Sequence, residues 1–296
     1  MALSTTDIDV YRGTTGVVTP QDVSEQVWQG IRQNSFVMAH ANRINLPGTG
    51  VKVNIITGDP TPAWVEETHE KTVSKPAFEN KTIVPYKLAV IVPFSNEFRR
   101  DEDTLYAAVI DRMPYAMAKM LDQTIFFGTA PGANFDTLTG ADAVDLQADP
   151  AGAINSAITA IGVAGGTANA IAVSPQGYGI LTGAKDDSGS LLFGGYNSTG
   201  NPTPYGLPTE TVHAAYKAGS SAANTVGFIG DWAKAHIGVV QDLNMTVTDQ
   251  ASLNDGTNTI HLWQRNMFAV RMEMEVGFAT EGDDFFQRLT DTYPAV

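Results

Sequence analysis

The chain has 296 residues, enough for one large core or two modest ones, and its 43% apolar content with 28 glycines and 15 prolines suits a turn-rich globular protein. It contains no cysteine, which excludes disulfides, thiolate nucleophiles and cysteine metal sites together. A formal charge of −14 opposes any role that grips free nucleic acid by its phosphates, but leaves open a protein that encloses nucleic acid without holding it.

The start, MALSTTDIDV, lacks a basic segment followed by an apolar run, so no secretory signal is expected. No apolar stretch approaches the roughly 18 residues of a membrane span. These features predict a soluble protein made and used in cytoplasm. Residues 1–29 read as a polar, turn-rich arm, with a helical start possible from Ser24. Residues 51–94 then read as two antiparallel extended flanks, VKVNII and FENKTIVPYKLAVIVPF, which bracket PTPAWVEETHEKTVSKP. That insert, residues 60–76, holds Trp64 and Val65 among prolines and charges. A structureless loop of that length is uncommon inside a compact domain. The unit therefore predicts a long, projecting β-hairpin whose apolar spot either folds back on its own domain or is finished by another polypeptide.

The strongest helix prediction follows, in RRDEDTLYAAVIDRMPYAMAKMLDQTIFFG. Leu105, Val109, Met113, Ala116, Met120 and Leu121 recur at steps that suit one helix face. Asp101, Glu102 and Asp103 suit the positive end of the helix dipole, and Gly128 supplies a stop. A helix of this span is a rod of about 39 Å at 1.5 Å per residue. Pro114 removes one backbone bond within it. Residues 129–150 read as a linker, and residues 147–232 as a small α/β unit. In that unit NAIAVSP is a buried strand, Pro175 opens a helix, and a glycine-rich connection leads to a strand at 209–214. The remainder is strand-rich and is expected to rejoin the first domain.

Chemistry is scarce. His40, His69, His213, His236 and His261 stand singly, with no HExxH or His–x–His spacing, so a zinc hydrolase is not supported. GTAPG and FGGYNSTG have neither the GxxxxGK[ST] nor the GxGxxG form of a phosphate loop. Ser174 in VSPQG is not a GxSxG elbow, and a helix start at Pro175 explains it better. Glu273 and Glu275 share one strand face, where a solvated surface is the simpler reading than an acid/base pair. No metal, cofactor or catalytic residue is predicted. A self-assembling protein and a globular enzyme with flaps that fold home both remain open.

Beyond these physical readings, the order of several segments carries a resemblance. AWVEE with SKPAFENKTIVPYKLAVIVPFSNEFRRD, LDQTIFFGTAPG, YGILTGAKDDSGSLLFGG with YGLPTETV, VGFIGDWAKAHIGVVQDLNMTVTDQ and LWQRNMFAVRMEMEVGFAT occur in family order. The sequence thus resembles the major capsid proteins of tailed phages, which have the α+β Hong Kong 97-like fold that encapsulin shells share. The resemblance implies a subunit that assembles as hexamers and pentamers into an icosahedral shell around double-stranded DNA. An encapsulin-type nanocompartment enclosing cargo enzymes is the alternative. The implied divisions are an arm at 1–29, peripheral parts at 30–47 and 233–296, an extended loop at 48–93, and a spine helix with more periphery at 94–146. An axial domain would occupy 147–232.

On this resemblance Trp64 anchors the extended loop on a neighbouring subunit. Val65 lies beside it, and Glu66, Glu67, Lys71 and Lys75 supply polar rim contacts. One family variant joins subunits covalently through a loop lysine, an asparagine and an assisting glutamate. Lys75 and Asn258 match the first two, but Arg265 stands at the glutamate position, and a cation cannot act as the base. No isopeptide bond is therefore expected. Stabilisation would be non-covalent or through a decoration protein. The short arm suggests a separate scaffolding protein, and a portal protein is a further implied partner. The acidic balance would let packaged duplex slide along an inner wall that does not bind it.

Overall fold

The computed structural model describes residues 34–58, 60–71, 73–75, 77–98, 103–186, 188–193, 201–219, 223–254 and 258–291. The arm expected at 1–29, the helical start at Ser24, and Asp101 and Glu102 lie outside the described residues.

Two sheets meet across one long helix. Helix α1 (Phe36–His40) leads into β1 (Asn42–Asn45). The pair β2 (Val51–Gly58) and β3 (Ala77–Ile83) forms an antiparallel two-stranded ribbon. Next come β4 (Tyr86–Ser95) and α2 (Asp103–Phe127). The sequence FENKTIVPYKLAVIVPF, read as one flank of a hairpin, is therefore two strands. Val84 and Pro85 interrupt it, and β4 leaves the ribbon to pair with β12 (Met267–Thr280). Proline cannot donate to a strand ladder, so the break falls where the ladder would otherwise continue. The four-stranded sheet has the order β1-β9-β12-β4, with β9 at Ala235–Thr248; only the β1–β9 pair is parallel.

The second sheet holds β5 (Asp142–Asp145), β6 (Ala170–Val173), β7 (Thr209–Thr211), β8 (Asn224–Gly230) and β13 (Phe286–Asp291) in the order β5-β13-β8-β6-β7. The segment read as a linker at 129–150 thus contributes an edge strand. The α/β unit also recruits β13 from far along the chain, so its sheet is not contained in 147–232. Two helices cover one face. Helix α3 (Pro150–Val163) is capped by Asp149, whose carboxylate accepts from Gly152 N at 3.0 Å. Helix α4 (Pro175–Gly183) is capped by Ser174, whose Oγ accepts from Gly177 N at 3.2 Å. Ser174 is buried by that structural duty.

Along β6 the side chains alternate between two cores. Ile171 and Val173 pack with Ile154, Ala157 and Ile161 of α3. Ala170 and Ala172 face the larger core, shared with the four-stranded sheet. There Met272, Met274, Val276 and Phe278 of β12 join Met113, Met117, Leu121, Ile125 and Phe126 of α2. Trp232 sits fully buried among them, with its indole N–H donating to Ala170 O at 3.1 Å and its ring edge-on to Phe36 and Phe286.

The buried stripe of α2 differs from the predicted one. Met113, Met117, Leu121 and Ile125 step by four, whereas Ala116 and Met120 face outward and Met120 is 52% exposed. Asp122 falls on the inner face and is 1% exposed. Pro114 lies inside the helix, which continues on both sides of it. The hairpin β10 (Ser252–Asn254) and β11 (Thr259–His261) completes the described elements.

Candidate assembly surfaces

The ribbon β2–β3 begins at a constructed root. Val51 pairs with Ile83 there, and Ile83 packs fully buried against Leu46 and Ala279. Gly50 enters the ribbon at φ +82, donating its N–H to Pro47 O at 2.9 Å. A Cβ at Gly50 would come within 2.5 Å of Ile83 O, so both the backbone angle and the space require glycine. Lys81 ties the root to the body. Its Nζ lies 2.5 Å from Asp136 Oδ2 and donates to Thr280 O at 2.6 Å. The same Asp136 oxygen accepts from Thr280 N at 2.9 Å. Burial pushes the carboxyl of nearby Asp283 above its ordinary value; Lys81 opposes that rise, and Asp136 and Asp284 add to it.

Beyond the strands, the chain forms a limb with its own order. Thr61 N donates to Ser74 Oγ at 2.7 Å, closing the limb across its width. At the tip His69 N donates to Glu66 O at 3.2 Å, and Thr68 holds φ 74. A β-branched residue rarely adopts that angle, so the turn stores backbone strain. Trp64 is 105% exposed and Val73 97%, while Val65, Glu66, Glu67, Lys71 and Lys75 are all solvent-facing. The six residues singled out by sequence thus share one limb. None of their charged groups makes an ion pair among the described residues.

A second exposed indole was not singled out. Trp263 is 72% exposed, in the turn Trp263–Arg265 between β11 and β12. Beneath it Ile260, Leu262, Met267 and Ala269 form a small buried cluster. The turn is closed by Arg265 N and Met267 N, which both donate to Leu262 O, at 3.2 and 3.0 Å, and Asn266 takes a left-handed φ of 53. Asn96 braces it, donating through Nδ2 to Asn266 Oδ1 at 3.0 Å. The sequence signal was available: LWQRN, like PAWVEE, sets a tryptophan beside polar residues. It was absorbed into the strand pattern that follows. Asn258 precedes β11, and Arg265 is exposed in this turn.

Catalytic alternatives find little support. Glu275 pairs with Lys87 at 2.9 Å and Glu273 faces Arg271 at 3.5 Å, so the shared strand face carries ion pairs. Glu281 lies 2.7 Å from Lys234 and 3.1 Å from His236. Burial pushes its carboxyl up, but those two contacts outweigh it and hold the group below its ordinary value. Among the described residues, no group of three or more His, Asp or Glu is placed to hold a metal, and no helix is long and apolar enough to cross a membrane.

Exposed aromatics on braced projections are features of a protein that meets others. The sequence profile of the Phage capsid family matches residues 15–290. The chain belongs to that family. It is 32% identical over 276 residues to the "Probable major capsid protein gp17" of Mycobacterium phage L5, covering 87% of this chain and 84% of the relative. The corresponding protein of Mycobacterium phage D29 is 28% identical over 293 residues, covering 93% and 90%. Among solved structures, chains from Mycobacterium phage Adephagia and Microbacterium phage Oxtober96 both superpose with a TM-score of 0.72. The first is 22% identical and covers 89% of this chain and 92% of its own; the second is 21% identical and covers 98% and 96%. This phage capsid protein therefore has the α+β Hong Kong 97-like fold, and its role is structural, in the viral capsid.

Proposed function

We propose that this capsid protein assembles as hexamers and pentamers into an icosahedral shell around double-stranded DNA, held without covalent links by limb and arm contacts between subunits. In this reading residues 48–93 are the extended loop, α2 is the spine, and 147–232 form most of an axial domain completed by β5 and β13. Residues 30–47, the rest of 94–146 and most of 233–296 are peripheral, and 1–29 are an arm. One observation carries the proposal: Trp64 stands fully exposed on a limb whose root is fixed by Ile83 and Lys81. Leaving an indole in water forfeits stabilisation of about 2–3 kcal/mol that burial against a neighbour would recover. Val65, Glu66, Glu67, Lys71 and Lys75 form the rim of that contact.

Assembly in the bacterial cytoplasm would involve a separate scaffolding protein, a portal protein and, where reinforcement is needed, a decoration protein. The net charge of −14 suits a wall that lets duplex move. Electron microscopy of the protein expressed alone and with its native neighbours tests the reading. Closed shells that contain DNA in native particles are expected. Open rings, or shells that enclose only protein cargo, would overturn it.

A further inference from the structure

A cavity of about 680 Å³ opens beside the five-stranded sheet, where α3 and α4 meet the ends of β8 and β13. No limb residue lines it, and its size is that of a small-molecule site. Its floor is acidic. Asp291 and Asn224 are 4% and 3% exposed there. Asn224 is already engaged: its Nδ2 donates to Asp291 Oδ1 at 2.8 Å, and its Oδ1 accepts from Gly219 N at 2.9 Å. Asp291 Oδ2 receives no hydrogen bond and no cation among the described residues. Gln147 Oε1, from a second lining residue, is buried and equally without a donor. A carboxylate and a carbonyl left in this way destabilise the fold unless a ligand supplies the donors. The wall beside them is bare. Gln176, Gly179, Ile180 and Gly183 line the cavity from one face of α4. A Cβ at Gly179 or Gly183 would meet nothing within 4 Å, so the packing of this chain requires neither glycine. Gly177, on the buried face, differs: a Cβ there would lie 2.7 Å from Val226 O. Glycine inside a helix is less stable than alanine, so Gly179 keeps space open against local preference.

We propose that this cavity binds a small ω-amino acid, with a primary ammonium at one end, a carboxylate at the other and a short aliphatic stem between. The ammonium donates to Asp291 Oδ2 and Gln147 Oε1. The Tyr216 hydroxyl, which also lines the cavity, accepts its third N–H. An ammonium carries three donors and no acceptor, which matches groups that lack only donors. The methylenes lie along Ile180 and the bare backbone of Gly179. Lys185 decides the far end. It lines the cavity, is exposed, and makes no ion pair among the described residues. A second ammonium would meet it as a like charge, whereas a carboxylate pairs with it. The ligand thus ties α4 to the paired ends of β8 and β13, and by binding only the folded state it stabilises this unit. The inference stands whether or not the limb bridges subunits.

Calorimetric titration of the full-length protein with 6-aminohexanoate tests the site, at an ionic strength of about 0.15 M to screen surface charge. Saturable binding of one ligand per chain is expected, with a Kd of about 1 mM or tighter. The amine n-pentylamine, which lacks the carboxylate, should bind about threefold more weakly, because the Lys185 pair is exposed. Binding of 1,5-diaminopentane should be weaker still, and hexanoate should not bind. Asp291→Asn keeps an acceptor for Asn224 Nδ2 but removes the charge, and should weaken 6-aminohexanoate about tenfold. Gly179→Leu projects into the open space and should abolish binding without lowering the melting temperature. Lys185→Gln should erase the preference for 6-aminohexanoate over n-pentylamine without weakening the amine. No saturable binding to the parent at about 10 mM ligand would overturn the proposal. Undiminished binding by Gly179→Leu would also overturn it, by placing the ligand elsewhere, and this variant carries the test if Asp291→Asn melts early. Equal affinity of the parent for 6-aminohexanoate and 1,5-diaminopentane would reject the zwitterionic ligand.

Discussion

Ser35 Oγ donates a hydrogen bond of 2.6 Å to Asp122 across 87 residues of chain, at a site with almost no access to water. The other carboxylate oxygen accepts from Phe36 N at 2.9 Å, and Ser35 Oγ itself accepts from Met38 N at 3.2 Å. One buried acid on α2 therefore fixes the start of α1. The ring of Phe36 then stacks on His40, whose Nε2 lies 3.4 Å from Glu210 on β7. Burial raises the Asp122 pKa to about 7 from 3.8, against the lowering effect of its hydrogen bonds. The folded state thus prefers the neutral acid. This group's stabilising contribution is complete below about pH 3.8, declines as pH rises, and is gone above about 7. Asp122→Asn, which cannot titrate but keeps only one acceptor oxygen for the two donors Ser35 Oγ and Phe36 N, should remove that slope at the cost of one contact. Thermal melts between pH 5 and 8 should show the variant gaining on the parent at the alkaline end by roughly 2–4 kcal/mol.

Ser35→Ala should act in the opposite direction. It removes a donor to a buried carboxylate and uncovers Met38 N, a combined loss of about 1–3 kcal/mol in chemical denaturation.

At the limb root, Lys81→Gln should leave the subunit folded while loosening the ribbon. The Lys81 and Asp136 side chains are 33% and 27% exposed, so solvent screening limits the ion pair to about 1 kcal/mol. Amide exchange should accelerate in β2 and β3 and not in β12 or β13. Equal acceleration everywhere would mean that Lys81 supports the whole fold.

Gly50→Ala imposes a left-handed angle on alanine and drives its methyl into the Ile83 carbonyl. A cost of about 2 kcal/mol or more is expected, concentrated at the root. Particle yield should fall further than the melting temperature of the unassembled subunit.

Trp64→Ala should cost the assembled shell about 2–4 kcal/mol per contact while leaving subunit melting within about 0.5 kcal/mol of the parent. Equal destabilisation of both would assign Trp64 to its own chain.

Local signals exposed a good part of this architecture before any coordinates. Pro175 after Ser174 announced a capped helix, and an indole stranded among prolines and glutamates marked the limb. Partner choice was less visible, because it is settled by distant segments. Nothing in TIVPYKLAV says that its second half pairs with residues 267–276 and not with 51–58. Asp122 was hidden by a misplaced helix face: once Ala116 and Met120 are counted inward, the acid looks solvated. Trp263 merged with a strand pattern that begins four residues later. The limb residues could be gathered from sequence because they are contiguous, whereas the Lys81 network joins residues as far as 199 positions apart.

Strand β13 lies between β5 and β8, yet every other described strand precedes it in the chain. Until β13 is made, the slot between the edge strand β5 and β8 is vacant, exposing the apolar surface that Phe286 and Leu289 will cover. A message read only as far as β12 yields a chain that cannot close this sheet. Such a chain lacks the pairings that β13 makes with both β5 and β8, and the apolar surface that Phe286 and Leu289 cover stays open to water.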